Sequence, residues 1–235
     1  MSIKTSKKRE FDHFSSIAKE WWLPNGKFKI LHELTPLRID YILKQINKGN
    51  INKLDILDLG CGGGLTCEPL ARLNANVTGI DFVPENIMVA KKHAKISDLK
   101  INYICDDLDN FKVNNKYDVV LLLEVIEHME NWEKMIEKIK SMLKPNGHLI
   151  ISTINRNILS KILAIYFAEN ILKWIPKNTH NYEKLITPKE LNKILLKNNF
   201  KLINTSGLNF NFLTKEWKLS KNNYLINYFC TAKIN

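Results

Sequence analysis

Long apolar runs are absent from the sequence, in which no stretch approaches the roughly 18 consecutive apolar residues that a membrane-spanning helix needs. Cysteine is scarce, and the four cysteines (Cys61, Cys67, Cys105 and Cys230) show no paired spacing of the kind that metal sites use. No secretory leader is recognisable, which predicts a reducing, cytoplasmic compartment. These absences predict a protein that is soluble or attached to a membrane surface.

Arginine is also scarce, since only four of the 35 basic residues are arginine in a chain with a formal net charge of +11. Specific nucleic-acid recognition favours arginine for its bidentate fork, whereas the lysines here are scattered through an Asn- and Ile-rich sequence. The charge therefore predicts no nucleic-acid partner, although it favours a weak attraction to anionic lipid. A length of 235 residues suits one enzyme-sized α/β domain.

A glycine-rich loop is the most informative feature that the sequence does contain. The run Leu54–Gly64 is apolar at first and then contains Gly60 and Gly62, which predicts a buried strand turning abruptly into a helix. Glycines at such a turn let the backbone pass close to a ligand, because no Cβ stands in the way. The next predicted strand ends at Asp81, whose carboxylate is placed to accept hydrogen bonds from ribose hydroxyls. The loop and Asp81 together predict a site for a nucleoside-bearing cofactor.

Two details favour S-adenosylmethionine over a dinucleotide. The Gly-x-Gly-x-x-Gly pattern of dinucleotide sites fails at its third glycine, where this chain has Leu65. Asp58 would repel an anionic pyrophosphate, whereas it suits the amino and sulfonium groups of S-adenosylmethionine. A glycine-rich turn without any ligand is the alternative for the loop alone, and the paired Asp81 disfavours it.

Strand and helix patterns alternate along the chain and predict an α/β fold with a mostly parallel sheet covered by helices on both faces. A capping box at Thr187–Glu190 opens the last long helix. Ligands in such sheets bind beyond the carboxyl ends of the strands. This rule places the following residues around one crevice: Gly60–Gly64, Asp81, Asp106 and Leu123–His128. The predicted strands are Leu54–Leu59, Asn76–Asp81, Ile101–Cys105, Tyr117–Leu123, His148–Ile154, Phe200–Thr205 and Tyr224–Ala232.

An N-terminal arm, Phe11–Ile46, lies outside the minimal core. Its adjacent Trp21 and Trp22 are more typical of an anchor on the core than of a ligand contact. Thr35-Pro36 is a good N-cap and first-turn pair and predicts a helix start at that point. Arg38, one turn into that helix, is placed to meet the carboxylate of the cofactor's methionine moiety.

The insertion Asn155–Tyr182 is the second segment outside the core. Its apolar residues form a broad face flanked by lysines, which suits a membrane interface or a long apolar substrate. Packing of this helix on the sheet or on a second subunit fits the pattern equally well.

The sequence Glu124-Val-Ile-Glu127-His128 directly follows the fourth predicted strand. If this segment is helical, Glu124, Glu127 and His128 share a face and suit either a divalent cation or an acid–base pair. Methyl transfer to a hydroxyl needs positioning and deprotonation of the acceptor, which a metal or a base can supply. Without metal, His128 is the preferred base because its ordinary pKa of about 6.5 lies near working pH.

These residues resemble the ubiquinone-biosynthesis O-methyltransferases, and the resemblance covers nearly the whole chain. The matching segments are the glycine loop, Asp81, Glu124–His128, Thr153–Arg156, the pattern Trp21-Trp22…Leu31-His32…Pro36-Leu-Arg38…Tyr41-Ile42, Ile175–His180 and Ile186–Leu191. The resemblance implies the class I methyltransferase fold, with a Rossmann-like, seven-stranded and mostly parallel sheet whose last strand is antiparallel. It also implies methylation of a ring hydroxyl on polyprenylated catechol and demethylubiquinol intermediates by S-adenosylmethionine, with S-adenosylhomocysteine as the product.

The resemblance implies functional roles for particular residues of this chain. It implies cofactor contacts at Arg38, Gly60, Asp81 and Leu123, and the crevice adds Gly62 and Asp106 to this set. The acidic–histidine cluster is associated with Mg²⁺ in some members of the family, which makes Glu124, Glu127 and His128 the expected metal ligands. His128 and Glu127 are the expected catalytic residues.

We expect a single methyltransferase domain with an arm (residues 1–50), a cofactor-binding core (51–154), a helical insertion (155–185) and a C-terminal helix with strands (186–235). Peripheral association with the inner face of the membrane and with other quinone-biosynthesis enzymes is expected as well. Three alternatives stay open at this point. They are a methyltransferase for another phenol or for a ring carbon, a non-catalytic scaffold of a membrane-bound complex, and RNA methylation, which only the charge suggests.

Overall fold

The fold is built around one mixed sheet. The computed structural model describes residues 3–46, 49–112, 115–160, 182–211, 216–221 and 223–234. The strands in this part of the chain are β1 (Asp55–Leu59), β2 (Asn76–Asp81), β3 (Asn102–Cys105), β4 (Tyr117–Leu123), β5 (Leu143–Ile154), β6 (Phe200–Asn211), β7 (Glu216–Ser220) and β8 (Asn227–Ile234). They are arranged in the order β3-β2-β1-β4-β5-β8-β6-β7.

The sheet is parallel from β3 through β5, and β8 enters antiparallel between β5 and β6. This topology confirms the expected α/β class, but the described residues form eight strands rather than seven. The additional strand arises because β6 continues past Thr205 to Asn211 instead of ending there. Its extension pairs antiparallel with β7, with Gly207 opposite Ser220.

Buried apolar residues explain why the central strands form. Every residue of β4 except Asp118 is buried, as expected of a strand covered on both faces. β1 aligns with β4 so that Leu59 lies opposite Leu122, and β2 ends with Asp81 opposite Cys105 of β3. The carboxyl ends of β1, β2 and β4 therefore meet at one edge of the sheet, where such folds bind their ligands.

Helices cover both faces of the sheet, as expected. On one face α5 and α6 share a core with Leu57 and Leu59 of β1, and on the other face α2, α3 and α4 pack with Ile56. Successive strand residues point to opposite faces, so β1 supplies both cores. Within the described residues, the main helices are α1 (Ile3–Ile17), α2 (Lys29–Gln45), α3 (Cys67–Arg72), α4 (Pro84–Ile96), α5 (Trp132–Met142) and α6 (Pro188–Lys197), with 3₁₀ turns at Ala18–Glu20, Ile126–His128 and Tyr182–Lys184.

The predicted start of the arm helix at Thr35-Pro36 is wrong, because α2 begins at Lys29 and carries Pro36 in its interior. Proline has no N–H to donate to the preceding turn of a helix. It is therefore usually found in the first turn, where no such hydrogen bond is needed. Here the Thr35 hydroxyl donates to the carbonyl of Leu31 at 2.7 Å. Phe28, directly before the helix, and Leu34, within it, are buried. Burial of these apolar side chains outweighs the local preference.

The capping box at the start of α6 is confirmed. The Thr187 hydroxyl accepts from the Glu190 N–H at 3.2 Å, and the Glu190 carboxylate accepts from the Thr187 N–H at 2.9 Å. Two otherwise unpaired N–H groups at the helix end are thereby satisfied.

Within the described residues, no helix combines the length and the apolar character needed to cross a membrane. The expected membrane- or substrate-facing segment, Ile158–Lys177, lies outside the described residues from position 161 onward. Its role therefore stays a prediction.

Candidate functional site

The glycine loop connects β1 to α3 at the carboxyl edge of the sheet. The N–H groups of Gly60 and Cys61 both donate to the carbonyl of Ile80, at 2.8 and 2.9 Å, which holds the loop against β2. Gly60 has a φ of 76°, and a Cβ there would meet Val125 at 2.5 Å. Only glycine combines this left-handed backbone with such a close approach.

Asp81 anchors the loop from the end of β2. The carboxylate accepts hydrogen bonds from the N–H groups of Gly62 and Val83, each at 2.9 Å, and from the side chain of Asn86 at 3.2 Å. Burial raises the pKa of Asp81, and these hydrogen bonds oppose that rise. An ionised carboxylate offers about four acceptor positions, so it keeps capacity for a ligand hydroxyl on the oxygen that Gly62 contacts.

Two tryptophans of the arm form a wall of this loop, which confirms their predicted role as anchors. Trp21 lies over Gly62, where a Cβ would collide with its ring, and donates its indole N–H to Asn86 at 2.7 Å. Trp22 donates to the carbonyl of Gly63 at 2.9 Å and stacks on His93 with ring centroids 3.5 Å apart. The arm is therefore part of the site and not an appendage.

Arg38 projects from α2 into the same region and is only 5% exposed. Its Nη2 atom lies 3.9 Å from Glu124 Oε1, and among the described residues its Nε and Nη2 atoms have no hydrogen-bond partner. Burial lowers the pKa of Arg38, while the nearby Glu124, Asp58 and Glu127 raise it. Buried donors without partners carry a free-energy penalty, which a ligand carboxylate would relieve.

Asp58, at the carboxyl side of β1, is the second buried carboxyl group beside the loop. It is 3% exposed and accepts a hydrogen bond from the Cys67 thiol at 3.3 Å. Burial raises its pKa to about 6 in spite of the Cys67 bond and the charge of Arg38. The group therefore still carries negative charge at pH 7 and favours a cationic ligand.

The two glutamates after β4 contact hydroxyl groups of β5. Glu124 has a φ of 57° and accepts from the Ser152 hydroxyl at 2.8 Å and from the Asn227 side chain at 3.3 Å. Glu127 is 5% exposed and accepts from the Thr153 hydroxyl at 3.0 Å. Burial and the charge of Glu124 raise the pKa of Glu127 well above its ordinary value.

The condition under which Glu124, Glu127 and His128 are predicted to share a face is not met, because the segment is not helical from Glu124 onward. Residues Ile126–His128 form a 3₁₀ turn, and the left-handed backbone at Glu124 separates it from that turn. The Nδ1 atom of His128 lies 3.3 Å from Glu10 of α1, and the charge of Glu124 also acts on the imidazole. In the part of the chain that the structure describes, no group of three His, Cys, Asp or Glu side chains is arranged to hold a metal ion.

His128 and Glu10 form a partly buried pair, with side chains 28% and 21% exposed. Burial lowers the pKa of His128 to about 4, so its imidazole is neutral at pH 7. Burial raises the pKa of Glu10 to about 7 against the charges of Lys184 and Lys7. The sequence contains no local signal for Glu10, which is one of several charged residues on a lysine-rich helix.

The remaining predicted positions lie at the edge of the same site. Leu123 is the last residue of β4 and is 8% exposed. Asp106 is exposed, its N–H donates to the carbonyl of Asp81 at 3.1 Å, and its carboxylate accepts from the Asp107 N–H at 2.7 Å. The structure therefore brings the glycine loop, Asp81, Arg38 and Leu123 together and leaves Asp106 at the rim.

Comparison with known proteins agrees with this architecture. A model of a methyltransferase domain matches residues 9–205. A magnesium protoporphyrin IX methyltransferase from Synechocystis PCC 6803, solved with bound SAH, superposes with a TM-score of 0.71 at 21% identity over 97% of this chain and 100% of that chain. A methyltransferase from Thermotoga maritima gives a TM-score of 0.69 at 15% identity, covering 96% and 99%. The chain therefore has a class I methyltransferase fold and belongs to the methyltransferase-domain family.

Relatives with higher sequence identity show to which group of methyltransferases the chain belongs. A ubiquinone biosynthesis O-methyltransferase from Rickettsia canadensis is 45% identical over 230 residues, covering 97% of each chain. A protein of the same name from Pelagibacter ubique is 44% identical over 229 residues, covering 94% of this chain and 95% of its own. The chain is a member of the ubiquinone biosynthesis O-methyltransferases, which confirms the family expected from the sequence motifs.

Proposed function

We propose that the chain is an S-adenosylmethionine-dependent O-methyltransferase that methylates ring hydroxyls of polyprenylated catechol and 3-demethylubiquinol intermediates. The observation that carries this proposal is the 45% identity to a ubiquinone biosynthesis O-methyltransferase over 97% of each chain. The glycine loop and the carboxylate of Asp81 support a nucleoside-bearing cofactor, and the buried carboxyl group of Asp58 disfavours one that carries phosphate.

The buried polar groups fit the methionine end of this cofactor. The two unpartnered donors of Arg38 suit its carboxylate, and Asp58 suits its amino group. Asp81 offers its remaining acceptor capacity to the ribose, while Gly60, Gly62 and the apolar end of β4 at Leu123 supply close backbone and apolar contacts. When bound, S-adenosylmethionine supplies an electrophilic methyl group and leaves as S-adenosylhomocysteine.

In this proposal, His128 is the general base. A neutral phenol is a weak nucleophile, so transfer to a ring hydroxyl needs removal of its proton. The imidazole of His128 is neutral and accepts that proton after β4, but burial lowers its pKa to about 4, so it is a weaker base than its ordinary pKa of about 6.5 predicted. Glu127, held by Thr153, helps to position the loop, and its raised pKa favours the neutral carboxylic acid.

The metal alternative, in which Glu124, Glu127 and His128 hold Mg²⁺, requires a different arrangement of these side chains. Glu124 and Glu127 would have to leave the hydroxyls of Ser152 and Thr153 and turn toward His128. Peripheral membrane association through the insertion, and association with other enzymes of the pathway, belong to the proposal because the substrate is a long apolar molecule.

One assay tests the function. Purified protein is given labelled S-adenosylmethionine with a prenylated catechol, a demethylubiquinol or tRNA, with and without chelator, and the methylated position is read from the product. We expect O-methylation of both phenols, none of tRNA, and no effect of the chelator. Methylation of ring carbon or tRNA alone, or cofactor binding without turnover, would support the alternative enzymes or the scaffold.

The same assay, applied to variants, distinguishes general base catalysis by His128 from a metal-dependent mechanism. We expect His128→Ala to lose most activity, because general base catalysis contributes roughly 10²- to 10⁴-fold. The double change Glu124→Gln with Glu127→Gln should create no metal requirement. If chelation abolishes turnover and added Mg²⁺ restores it, the metal reading is correct and the base assignment is wrong.

A further inference from the structure

Glu124 has an unusual backbone conformation directly after β4. Its φ of 57° lies in the left-handed region, which is uncommon for residues other than glycine. The Glu124 N–H donates to the carbonyl of Ser152 in β5 at 2.9 Å, so the neighbouring strand fixes the backbone at this point. Such conformations persist where the surrounding structure enforces them, and they cluster at functional sites.

The carboxylate of Glu124 is held at both of its oxygens. Oε1 accepts from the hydroxyl of Ser152 at 2.8 Å, and Oε2 accepts from the side-chain amide of Asn227, the first residue of β8, at 3.3 Å. Only 22% of the side chain is exposed. Two strands of the sheet therefore determine where this negative charge lies.

The cation beside this carboxylate is Arg38 of α2. Arg38 Nη2 lies 3.9 Å from Glu124 Oε1, which is too far for a hydrogen bond but close enough for an ion pair. Of the charges that oppose the effect of burial on the pKa of Arg38, the charge of Glu124 is the largest. Among the described residues, Nε and Nη2 of Arg38 have no hydrogen-bond partner. Glu124 therefore attracts the guanidinium and leaves these donors for a ligand.

We infer that Glu124 is the positioning residue of Arg38, and that it acts through this ion pair and not as a ligand of a metal ion. This inference rests on the proposed contact between Arg38 and the carboxylate of the cofactor's methionine moiety. A long side chain such as arginine loses conformational entropy when it is ordered. A guanidinium that is already ordered binds a carboxylate more tightly, because that loss has occurred before binding. Strands β5 and β8, which hold Glu124, thereby contribute to cofactor affinity.

Calorimetry with two ligands, in buffer that contains a chelator, tests the inference. S-adenosylhomocysteine carries the carboxylate, and 5′-methylthioadenosine has the same nucleoside without it. Glu124→Gln keeps the shape of the side chain and removes its charge. We expect it to weaken binding of S-adenosylhomocysteine roughly tenfold, or about 1.4 kcal/mol, and to leave the Kd for 5′-methylthioadenosine within about threefold of the wild-type value. Glu130→Gln removes an exposed carboxylate from the same loop and is the matched control, with both affinities unchanged.

A double-mutant cycle shows whether the effect depends on Arg38. In protein that carries Arg38→Met, Glu124→Gln should cause no further loss of affinity for S-adenosylhomocysteine, because no guanidinium is left to position. Asn227→Ala keeps the charge of Glu124 and removes one hydrogen bond that holds it. We expect a smaller loss, roughly threefold, that is confined to S-adenosylhomocysteine. This variant keeps the test decisive if Glu124→Gln does not fold.

Several results would overturn the inference. Unchanged or tighter binding of S-adenosylhomocysteine by Glu124→Gln would show that Glu124 does not position Arg38 or competes with the ligand for it. Equal losses for both ligands, or additive losses in the cycle, would show a general structural role. Titration of Mg²⁺ into the protein should show no binding that Glu124→Gln abolishes, since such binding would make Glu124 a metal ligand. 

The failure of this inference is distinguishable from failure of the proposed function. If Arg38→Met leaves the affinity for S-adenosylhomocysteine unchanged, the proposed contact of Arg38 with the carboxylate is wrong. If Arg38→Met weakens binding and Glu124→Gln does not, only the role of Glu124 is overturned. The methylation of phenols by the wild-type protein is measured independently of both variants.

Discussion

Under the proposed function, the buried ionisable groups at this site complement a zwitterionic ligand. Asp58 and Glu127 are nearly inaccessible, and burial raises the pKa of both. Arg38, between them and Glu124, has donors that no described residue uses. The amino and carboxylate groups of a methionine moiety would complement both signs of charge, which protein side chains alone leave incompletely paired.

Substitution of Asp81 tests the ribose contact. We expect Asp81→Ala to weaken binding of S-adenosylhomocysteine roughly ten- to hundredfold, because loss of a charged hydrogen-bond partner costs about 1.5–3 kcal/mol. Calorimetry measures the Kd, and circular dichroism verifies the fold, since Asp81 also holds the N–H groups of Gly62 and Val83. Asp40→Ala, on the outer side of α2, is the control. Unchanged binding in folded Asp81→Ala protein would refute the assignment.

Substitution of Arg38 tests the contact with the cofactor's carboxylate. We expect Arg38→Met to weaken S-adenosylhomocysteine binding by roughly ten- to hundredfold, the cost of about 1.5–3 kcal/mol for a charged hydrogen bond. Binding of 5′-methylthioadenosine, which has the same nucleoside but no carboxylate, should be unaffected and serves as the internal control. If both ligands lose affinity equally, Arg38 shapes the pocket and does not bind the carboxylate.

At the level of elements, the site depends on three connections and two segments of the arm. The loops after β1, β2 and β4 supply the glycines, Asp81 and the acidic–histidine cluster, because parallel strands bring their carboxyl ends together. The arm adds Trp21 against the glycine loop and Arg38 from α2. In the class I fold, these loops position the cofactor. We expect the methyl acceptor to be recognised by segments added to the core, because one fold supports many different functions.

The insertion is the element that we expect to meet the membrane and the apolar substrate. Replacing Ile162 and Phe167 with serine should abolish association with liposomes containing anionic lipid, because the apolar face that inserts would be lost. Co-sedimentation measures binding, and calorimetry verifies that the cofactor affinity is unchanged. The matched control replaces Ile96 and Leu196, both exposed apolar residues outside the insertion, with serine. Wild-type protein that ignores liposomes, or an unfolded double variant, would contradict the prediction.

At the scale of the whole molecule, the two cores share the central strands, so the cofactor-binding core and the C-terminal strands are connected through one sheet. β5 pairs with β4 on one side and with β8 on the other. Arm residues such as Tyr41 also pack with Phe229 of β8, with ring centroids 4.6 Å apart. These contacts link segments from both ends of the chain and favour cooperative unfolding as one domain.

Thermal unfolding tests this single-domain proposal. We expect one transition, and S-adenosylhomocysteine at about 100 times its Kd should stabilise the fold by about 2.7 kcal/mol. For a chain of this size, that corresponds to a rise in Tm of roughly 5–10 °C. At the same ligand concentration, a ten- to hundredfold weaker Kd in Asp81→Ala should reduce this stabilisation to about 1.4–0.4 kcal/mol, so at least about half of the shift should be lost. Two separate transitions, with only one shifted by the ligand, would show that the arm or the C-terminal part unfolds independently.

The sequence by itself determined the features that depend on short-range spacing. The glycine loop, Asp81 at a strand end and the capping box at Thr187 could be predicted because each follows from the geometry of a few consecutive residues. The alternation of strands and helices likewise predicted the layered α/β fold. The family motifs extended this prediction to the ubiquinone biosynthesis O-methyltransferases.

Only the tertiary structure decided the contacts between distant segments. The start of α2 at Lys29 and the pairing of β6 with β7 depend on which apolar side chains are buried. The contact of His128 with Glu10 depends on how a loop and a remote helix pack together. Such contacts have no periodic signal in the chain, because packing in three dimensions, and not local conformational preference, determines their free energy.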